Sequence, residues 1–186
     1  MLIYIILLCY FLTIYAKNKA VISFNMQNIY CQEDSLLFIE DCISAIPNMN
    51  YLFGITHDDN VFPIITTNKY QYKDISFESI QDTELFTLKD DIELIDGLYI
   101  PKTTTHFYIS SYSITEEEKF MHFLKVNKIE DIILGGIYIS NSAKDLVVLG
   151  FKVYIYLPAV GFLSELDKKK SINEWINLGI NINYEP

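Results

Sequence analysis

The sequence contains no arginine, because all 14 of its basic residues are lysines. Its 24 acidic residues leave a formal net charge of −10 at pH 7. The planar guanidinium group, which binds phosphate and carboxylate in a bidentate way, is therefore missing. A chain with this charge also offers no basic surface that could follow a phosphate backbone. We expect no nucleic acid partner.

Glycine and proline are also scarce, with 7 and 5 residues in a chain of 186, whereas 51% of the residues are hydrophobic. This composition excludes a collagen-like repeat and a disordered chain. It favours one globular domain that buries a sizeable core.

One apolar run stands apart from the rest of the chain. Residues 1–16 are apolar except for Thr13, and Ala16 precedes the polar Lys17. The run is shorter than the roughly 20 residues that span a bilayer as a helix. We predict a signal peptide over residues 1–16 and a mature domain over residues 17–186. The protein is then secreted and extracellular, with no membrane association after cleavage; the alternative is an uncleaved membrane anchor.

Removal of the signal peptide takes away Cys9 and leaves Cys31 and Cys42. In an oxidising compartment these two residues could form a disulfide. Alternatively, Cys42 is a small buried hydrophobic residue, since Ile39 and Ile43 flank it at helical spacing. The sequence leaves both interpretations open.

Apolar runs rich in branched residues alternate with segments of helical period along the mature chain. This alternation predicts an α/β fold, with three α/β/α layers and a mainly parallel central sheet of the Rossmann type. Strands are predicted at 20–24, 62–67, 98–103, 131–137, 151–157 and 180–184. Helices are predicted at 49–58, with Pro47 in the first turn, at 142–149 and at 168–178. A further helix is predicted to begin at a capping box formed by Thr115 and Glu118. Residues 68–96 are predicted to form loops with one short helix.

Several segments match, in order, those of a known superfamily. They are AVISFNMQNIYC from Ala20, IPNMNYL from Ile46, VFPIITT from Val61 and IEDIILGGIYISNS from Ile129. Together they resemble the opening strand, first helix, second strand and nucleophile segment of the isochorismatase-like cysteine hydrolases, which include nicotinamidases and carbamoylsarcosine amidases. The resemblance implies the same three-layer fold, with the site at the carboxyl ends of the strands.

The resemblance also implies three catalytic positions, two of which carry altered residues. Asn25 stands where the family has its proton-accepting aspartate, and an amide does not accept a proton near neutral pH. Ser142 stands where the family has its cysteine, and a serine hydroxyl is a weaker nucleophile than a thiolate. Lys102 matches the family lysine, although a shifted alignment places His106 there instead.

Further positions follow from the same resemblance. Gln27 and Tyr138 are expected to line the substrate site, with the Tyr138 backbone N–H in the oxyanion hole and a cis peptide bond after Ile137. The segment 67–71 lacks the Asp-x-His pair that binds metal in nicotinamidases. We therefore expect no metal and no cofactor.

These residues predict a secreted isochorismatase-like protein, a pseudoenzyme that has lost the cysteine-hydrolase reaction and acts by binding a small molecule or a protein. The alternative is an amide or ester hydrolase in which a desolvated Lys102 activates Ser142. A third interpretation is an unrelated doubly wound domain. Association into homo-oligomers is compatible with the resemblance, but no sequence pattern specifies it.

Overall fold

The computed structural model describes residues 17–35, 37–56, 60–68, 93–109 and 113–182. The predicted signal peptide and most of the segment predicted to form loops lie outside these residues. Within the described part of the chain, no helix is both long enough and apolar enough to cross a membrane.

Five parallel strands form one sheet in the order β3-β2-β1-β4-β5. They are β1 (Asn18–Phe24), β2 (Val61–Asn68), β3 (Thr105–Ile109), β4 (Ile129–Ile137) and β5 (Lys152–Gly161). The central strands β1 and β4 are buried along nearly their whole length. Their runs of branched apolar residues suit strands that are covered on both faces.

Helices cover both faces of the sheet and complete the three predicted layers. They are α1 (Asn28–Cys31), α2 (Glu40–Gly54), α3 (Glu118–Val126), α4 (Ser140–Val148) and α5 (Glu165–Asn177), with a 3-10 helix at Ile114–Glu116. Met49 and Phe53 of α2 pack on one face of the sheet. Phe120 of α3, Leu146 of α4 and Trp175 of α5 pack on the other. The predicted α/β fold is confirmed.

The chain leaves β1 toward β2 on one side, and it returns through β4 and β5 on the other side. The direction of winding therefore reverses between β1 and β4. In open α/β sheets, ligand sites lie at this point, outside the carboxyl ends of the two strands.

The first long helix begins earlier than predicted. Pro47 lies inside α2, which starts at Glu40, and not in the first turn of a helix over 49–58. Cys42, Ala45 and Met49 are all buried along one side of α2. Their burial stabilises α2 and offsets the loss of the backbone hydrogen bond that the proline nitrogen cannot donate.

The third strand is displaced along the sequence. It runs from Thr105 to Ile109, and the predicted strand 98–103 does not pair with the sheet. Pro101 has no N–H to donate to a neighbouring strand. Phe107, by contrast, packs against the rings of Phe120 and Phe123, at centroid distances of 5.4 and 5.6 Å.

Two smaller predictions also need correction. Ser113 caps the 3-10 helix, because its side chain accepts a hydrogen bond from the Thr115 backbone N–H. The helix α3 begins later, at Glu118, and has no side-chain cap, so Thr115 does not cap it. The predicted last strand is reduced, in the described residues, to one bridge between Asn181 and Tyr154.

Candidate functional site

The carboxyl ends of β1 and β4 lie side by side, because a glycine permits their close approach. Gly136 pairs with Phe24 and has a φ of +104°. A Cβ atom at this position would collide with the Phe24 backbone. Asn25 and Tyr138, just beyond the two strand ends, have φ values of +53° and +57°. Such left-handed conformations are uncommon outside glycine and occur often at functional sites.

Asn25 links the two strand ends. Its side chain is 3% exposed, and its amide nitrogen donates a hydrogen bond of 3.2 Å to the carbonyl oxygen of Ile137. Its side-chain oxygen has no hydrogen-bond partner among the described residues. An ionised aspartate could not donate this bond. The Asn25 amide is therefore a donor that links the ends of β1 and β4.

Ser142 lies in the first turn of α4 and is 2% exposed. Its hydroxyl oxygen accepts a hydrogen bond of 3.1 Å from the backbone N–H of Ile114, which is itself fully buried. One turn further along α4, Asp145 accepts a hydrogen bond of 3.5 Å from the Thr115 hydroxyl. The serine at the nucleophile position thus anchors the 3-10 helix against α4.

Neither candidate for the family's lysine position forms a hydrogen bond with Ser142. Lys102 is exposed, and its ammonium group has no ion pair or hydrogen bond within the described residues. The His106 ring lies 2.9 Å from the Thr67 hydroxyl through Nε2 and stacks on Tyr108 at 4.7 Å. Partial burial lowers the pKa of His106 below its usual 6.5. The exposed Lys102 is therefore not the desolvated lysine that a Ser–Lys pair requires.

Gln27, predicted to line the substrate site, forms hydrogen bonds with the end of β2. Its side-chain oxygen accepts a hydrogen bond of 2.8 Å from the Asn68 N–H, and its amide donates one of 3.3 Å to the Asn68 carbonyl. Asn68 in turn donates from its side chain to the hydroxyl of Tyr30 at 3.2 Å. This fully buried amide therefore serves a structural role.

Tyr138 is 45% exposed, and its ring meets that of Tyr30 edge to face at 5.3 Å. The expected cis bond between Ile137 and Tyr138 is not present, since the described residues contain no cis peptide bond. The chain turns here through the left-handed conformation of Tyr138 instead. Burial raises the pKa of the Tyr138 hydroxyl, and the negative charge of Asp167 raises it further.

Two residues of the segment predicted to lack a metal-binding pair, Thr67 and Asn68, lie at the end of β2. Thr67 and Asn68 are neutral, and both are hydrogen-bonded to protein groups. The described residues contain no group of three or more His, Cys, Asp or Glu side chains that could hold a metal ion.

A disulfide closes the carboxyl end of the sheet beside the site. Cys31 of α1 is bonded to Cys42 of α2, with 5.1 Å between their Cα atoms. Both residues are also buried, in a cluster that includes Met26 and Ile137. The two interpretations of Cys42 are therefore compatible, because it is both paired and part of the core.

Sequence reasoning missed the contribution of Ile114 to this region. The hydrogen bond between Ile114 and Ser142 joins residues 28 positions apart. An isoleucine that acts through its backbone N–H has no side-chain signature. No pattern in the sequence could have identified it.

No protein-family model matches the sequence, and no curated protein matches it significantly. Solved structures do match. A pyrazinamidase of Pyrococcus horikoshii, solved in complex with zinc, aligns with a TM-score of 0.77 at 19% identity over 90% of this chain and 99% of that one. An isochorismatase family protein from Desulfovibrio vulgaris subsp. vulgaris str. Hildenborough aligns with a TM-score of 0.78 at 14% identity, over 89% of this chain and 93% of that one. For N-carbamoylsarcosine amidase from Thermoplasma acidophilum the TM-score is 0.73 at 13% identity, over 88% and 94%. The chain therefore has the fold of the isochorismatase-like hydrolases.

Proposed function

We propose that this protein is a secreted pseudoenzyme of the isochorismatase-like fold, which acts by binding and does not carry out the cysteine-hydrolase reaction. The observation that carries the proposal is the state of Ser142. Its hydroxyl oxygen is buried and already accepts a hydrogen bond from Ile114. A nucleophile must reach its substrate and needs a base to remove its proton.

The residue at the aspartate position supports the same conclusion. The Asn25 amide donates to the Ile137 carbonyl and cannot take a proton from a neighbouring hydroxyl. General-base catalysis contributes on the order of 100- to 10,000-fold to the rate of a typical enzyme. Loss of the base and replacement of the thiolate together remove most of the rate enhancement that the cysteine-hydrolase reaction depends on.

Lys102 does not compensate for these losses. A neutral lysine can act as a base when burial lowers its pKa, but the Lys102 side chain is exposed to solvent. No observation therefore favours the serine–lysine hydrolase.

A direct test combines an activity assay with a covalent probe. The purified protein is incubated with nicotinamide, pyrazinamide and N-carbamoylsarcosine, and ammonia release is measured beside an active pyrazinamidase. A fluorophosphonate probe for reactive serines is then applied, and the intact mass is recorded. We expect no ammonia above the buffer blank and no added mass. Turnover together with labelling at Ser142 would overturn the proposal.

Secretion is supported by the disulfide between Cys31 and Cys42, since stable disulfides are rare in the reducing cytosol. The full-length chain can be expressed in a secreting host, and the N-terminus of the protein in the medium sequenced. We expect Lys17 as the first residue and no thiol that reacts with a labelling reagent under denaturing conditions. Retention of the whole chain in the cell membrane would contradict secretion and favour the anchor.

A further inference from the structure

An open groove lies at the amino ends of β4 and β5, at the opposite edge of the sheet from Asn25 and Ser142. Its volume is about 650 Å³, and it is lined by residues of α3, by the first residues of β4 and by Phe151. A volume of this order is typical of sites for small ligands. None of the residues that the resemblance assigns to catalysis or substrate binding lines the groove. It is therefore separate from the site described above.

Apolar side chains that a ligand can reach form part of the groove. Met121 and Phe151 line it, and both are only partly buried where they pack against the core. The Phe151 backbone N–H donates a hydrogen bond of 3.1 Å to the Leu146 carbonyl, which fixes the chain at this point. Leu124 and Ile129 also line the groove, but they are almost completely buried and belong to the core. The accessible parts of Met121 and Phe151 can therefore bury an alkyl chain.

Two lysines border this apolar surface. Lys125 and Lys128 line the groove, are exposed, and form no ion pair with any described residue. Glu130 is the one acidic residue of the lining, and Lys17 pairs with it at 2.7 Å. The groove thus has a local positive charge in a chain whose formal net charge is −10. Charge complementarity favours an anionic group beside the two lysines.

The end of α3, which lies at the groove, has few free carbonyl groups that would repel an anion. Carbonyl groups without partners give the end of a helix a partial negative charge. Here the Phe123 carbonyl accepts hydrogen bonds from the backbone and the side chain of Asn127, at 3.1 and 2.9 Å. The Lys125 carbonyl accepts one of 3.1 Å from the Lys128 N–H. The Asn127 carbonyl accepts one of 2.6 Å from the Asn18 side chain. The two lysine charges therefore dominate this end of the groove.

We propose that the groove binds a free fatty acid of medium chain length, such as decanoate. The alkyl chain lies along Met121 and Phe151, and the carboxylate lies against the ammonium groups of Lys125 and Lys128. A small anion such as phosphate would leave the apolar side chains uncovered, and a neutral lipid would leave the lysines without a counter-charge. The inference goes beyond the proposed function, because it does not depend on the state of Ser142.

Methionine methyl groups give a local readout of binding by NMR. Met121 lines the groove, whereas Met26 and Met49 are fully buried on the opposite face of the sheet or beside the disulfide. Protein with isotope-labelled methionine methyl groups is titrated with decanoate, below the concentration at which decanoate forms micelles. We expect a saturable shift of the Met121 signal and no shift of the other two. A shift of Met26 or Met49 without Met121, or no shift at all, would overturn the inference.

Two comparison ligands separate the contributions of the chain and the head group. Octanoate is shorter than decanoate, and each buried methylene group strengthens binding by up to about fourfold. We expect decanoate to bind about tenfold more tightly than octanoate, because the open groove covers the chain only in part. Decyltrimethylammonium has the same chain as decanoate and the opposite charge, so it should bind at least roughly tenfold more weakly. Equal affinities in either comparison would contradict the proposed binding mode.

Matched variants test the role of the lysines, with decanoate binding measured by calorimetry. Lys125→Gln combined with Lys128→Gln removes both charges from the groove. Lys169→Gln combined with Lys170→Gln changes the net charge equally, at exposed residues of α5 that do not line the groove. We expect the first pair of substitutions to weaken binding roughly tenfold and the second pair to leave it unchanged. A groove variant that binds decanoate as the wild type does would refute the role of the lysines.

Vesicles of anionic phospholipid test whether the ligand is a membrane surface and not a free acid. We expect the protein to remain in the supernatant when these vesicles are sedimented. Sedimentation with the vesicles and no response to free decanoate would overturn the inference. Ammonia release or serine labelling would refute the loss of catalysis and leave the Met121 shift unaffected, so the two failures are distinguishable.

Discussion

Replacement of Ser142 by alanine tests whether this residue is an anchor or a remnant of a catalytic group. The substitution removes the hydroxyl oxygen that accepts a hydrogen bond from the Ile114 N–H, and both residues are almost completely buried. A buried donor left without an acceptor costs about 1 to 3 kcal/mol. We therefore expect Ser142→Ala to lower the free energy of unfolding by about 2 kcal/mol.

Urea denaturation followed by circular dichroism measures this loss, with the disulfide kept oxidised. For a domain of this size, a loss of about 2 kcal/mol lowers the melting temperature by roughly 4 to 8 °C. The matched control is Ser44→Ala. Ser44 donates to the Asp41 carbonyl at 2.9 Å on an exposed part of α2, so its loss should change stability by less than about 0.5 kcal/mol.

A Ser142→Ala protein as stable as the wild type would contradict the anchoring role of Ser142. The Ile114 N–H would then have another acceptor, and the burial of Ser142 would not reflect an anchoring role. Equal losses in the two alanine variants would likewise show that burial of the hydrogen bond has no effect here.

Two further predictions follow from the backbone and from a histidine. Gly136→Ala should prevent folding, because a Cβ atom would collide with the Phe24 backbone. The control is Gly150→Ala, where φ is a similar +90° but a Cβ atom would lie in open space, so the substitution should cost only about 1 to 3 kcal/mol of backbone strain. Soluble expression and denaturation curves compare the two variants, and a stable Gly136→Ala protein would refute the packing argument. His106 has a lowered pKa in the folded state, so the unfolded chain binds protons more readily and stability falls as the pH decreases through about 6.5. Melting temperatures from about pH 8 to pH 5 should therefore fall less for His106→Asn than for the wild type, and a larger fall in the variant would contradict the sign of the shift.

The strand ends that carry chemistry in a cysteine hydrolase are occupied here by internal hydrogen bonds, from Asn25 to Ile137 and from Ile114 to Ser142. These internal hydrogen bonds stabilise the fold, although the Asn25 side-chain oxygen has no partner among the described residues.

The layer architecture and the central strands can be predicted from local sequence patterns. The branched apolar runs that became β1 and β4 are buried on both faces, and this pattern is local and can be read directly. Asn25 and Ser142, the residues at two positions that the resemblance predicts to be catalytic, are likewise visible in the sequence. What they do in the folded chain is not, because it depends on which groups lie opposite them.

Only the tertiary structure decided the position of β3, the helical conformation around Pro47 and the exposure of Lys102. In each case packing between distant segments outweighed local preference: Phe107 pairs with aromatic rings of α3, and the buried side of α2 keeps Pro47 within the helix. The grouping of Tyr138, Asp167 and Trp175 around one cavity was equally hidden, since these residues are far apart in the sequence and meet only in the folded chain. Periodicity reports which face of an element is buried, but it contains no information about which residues of other elements that face will meet.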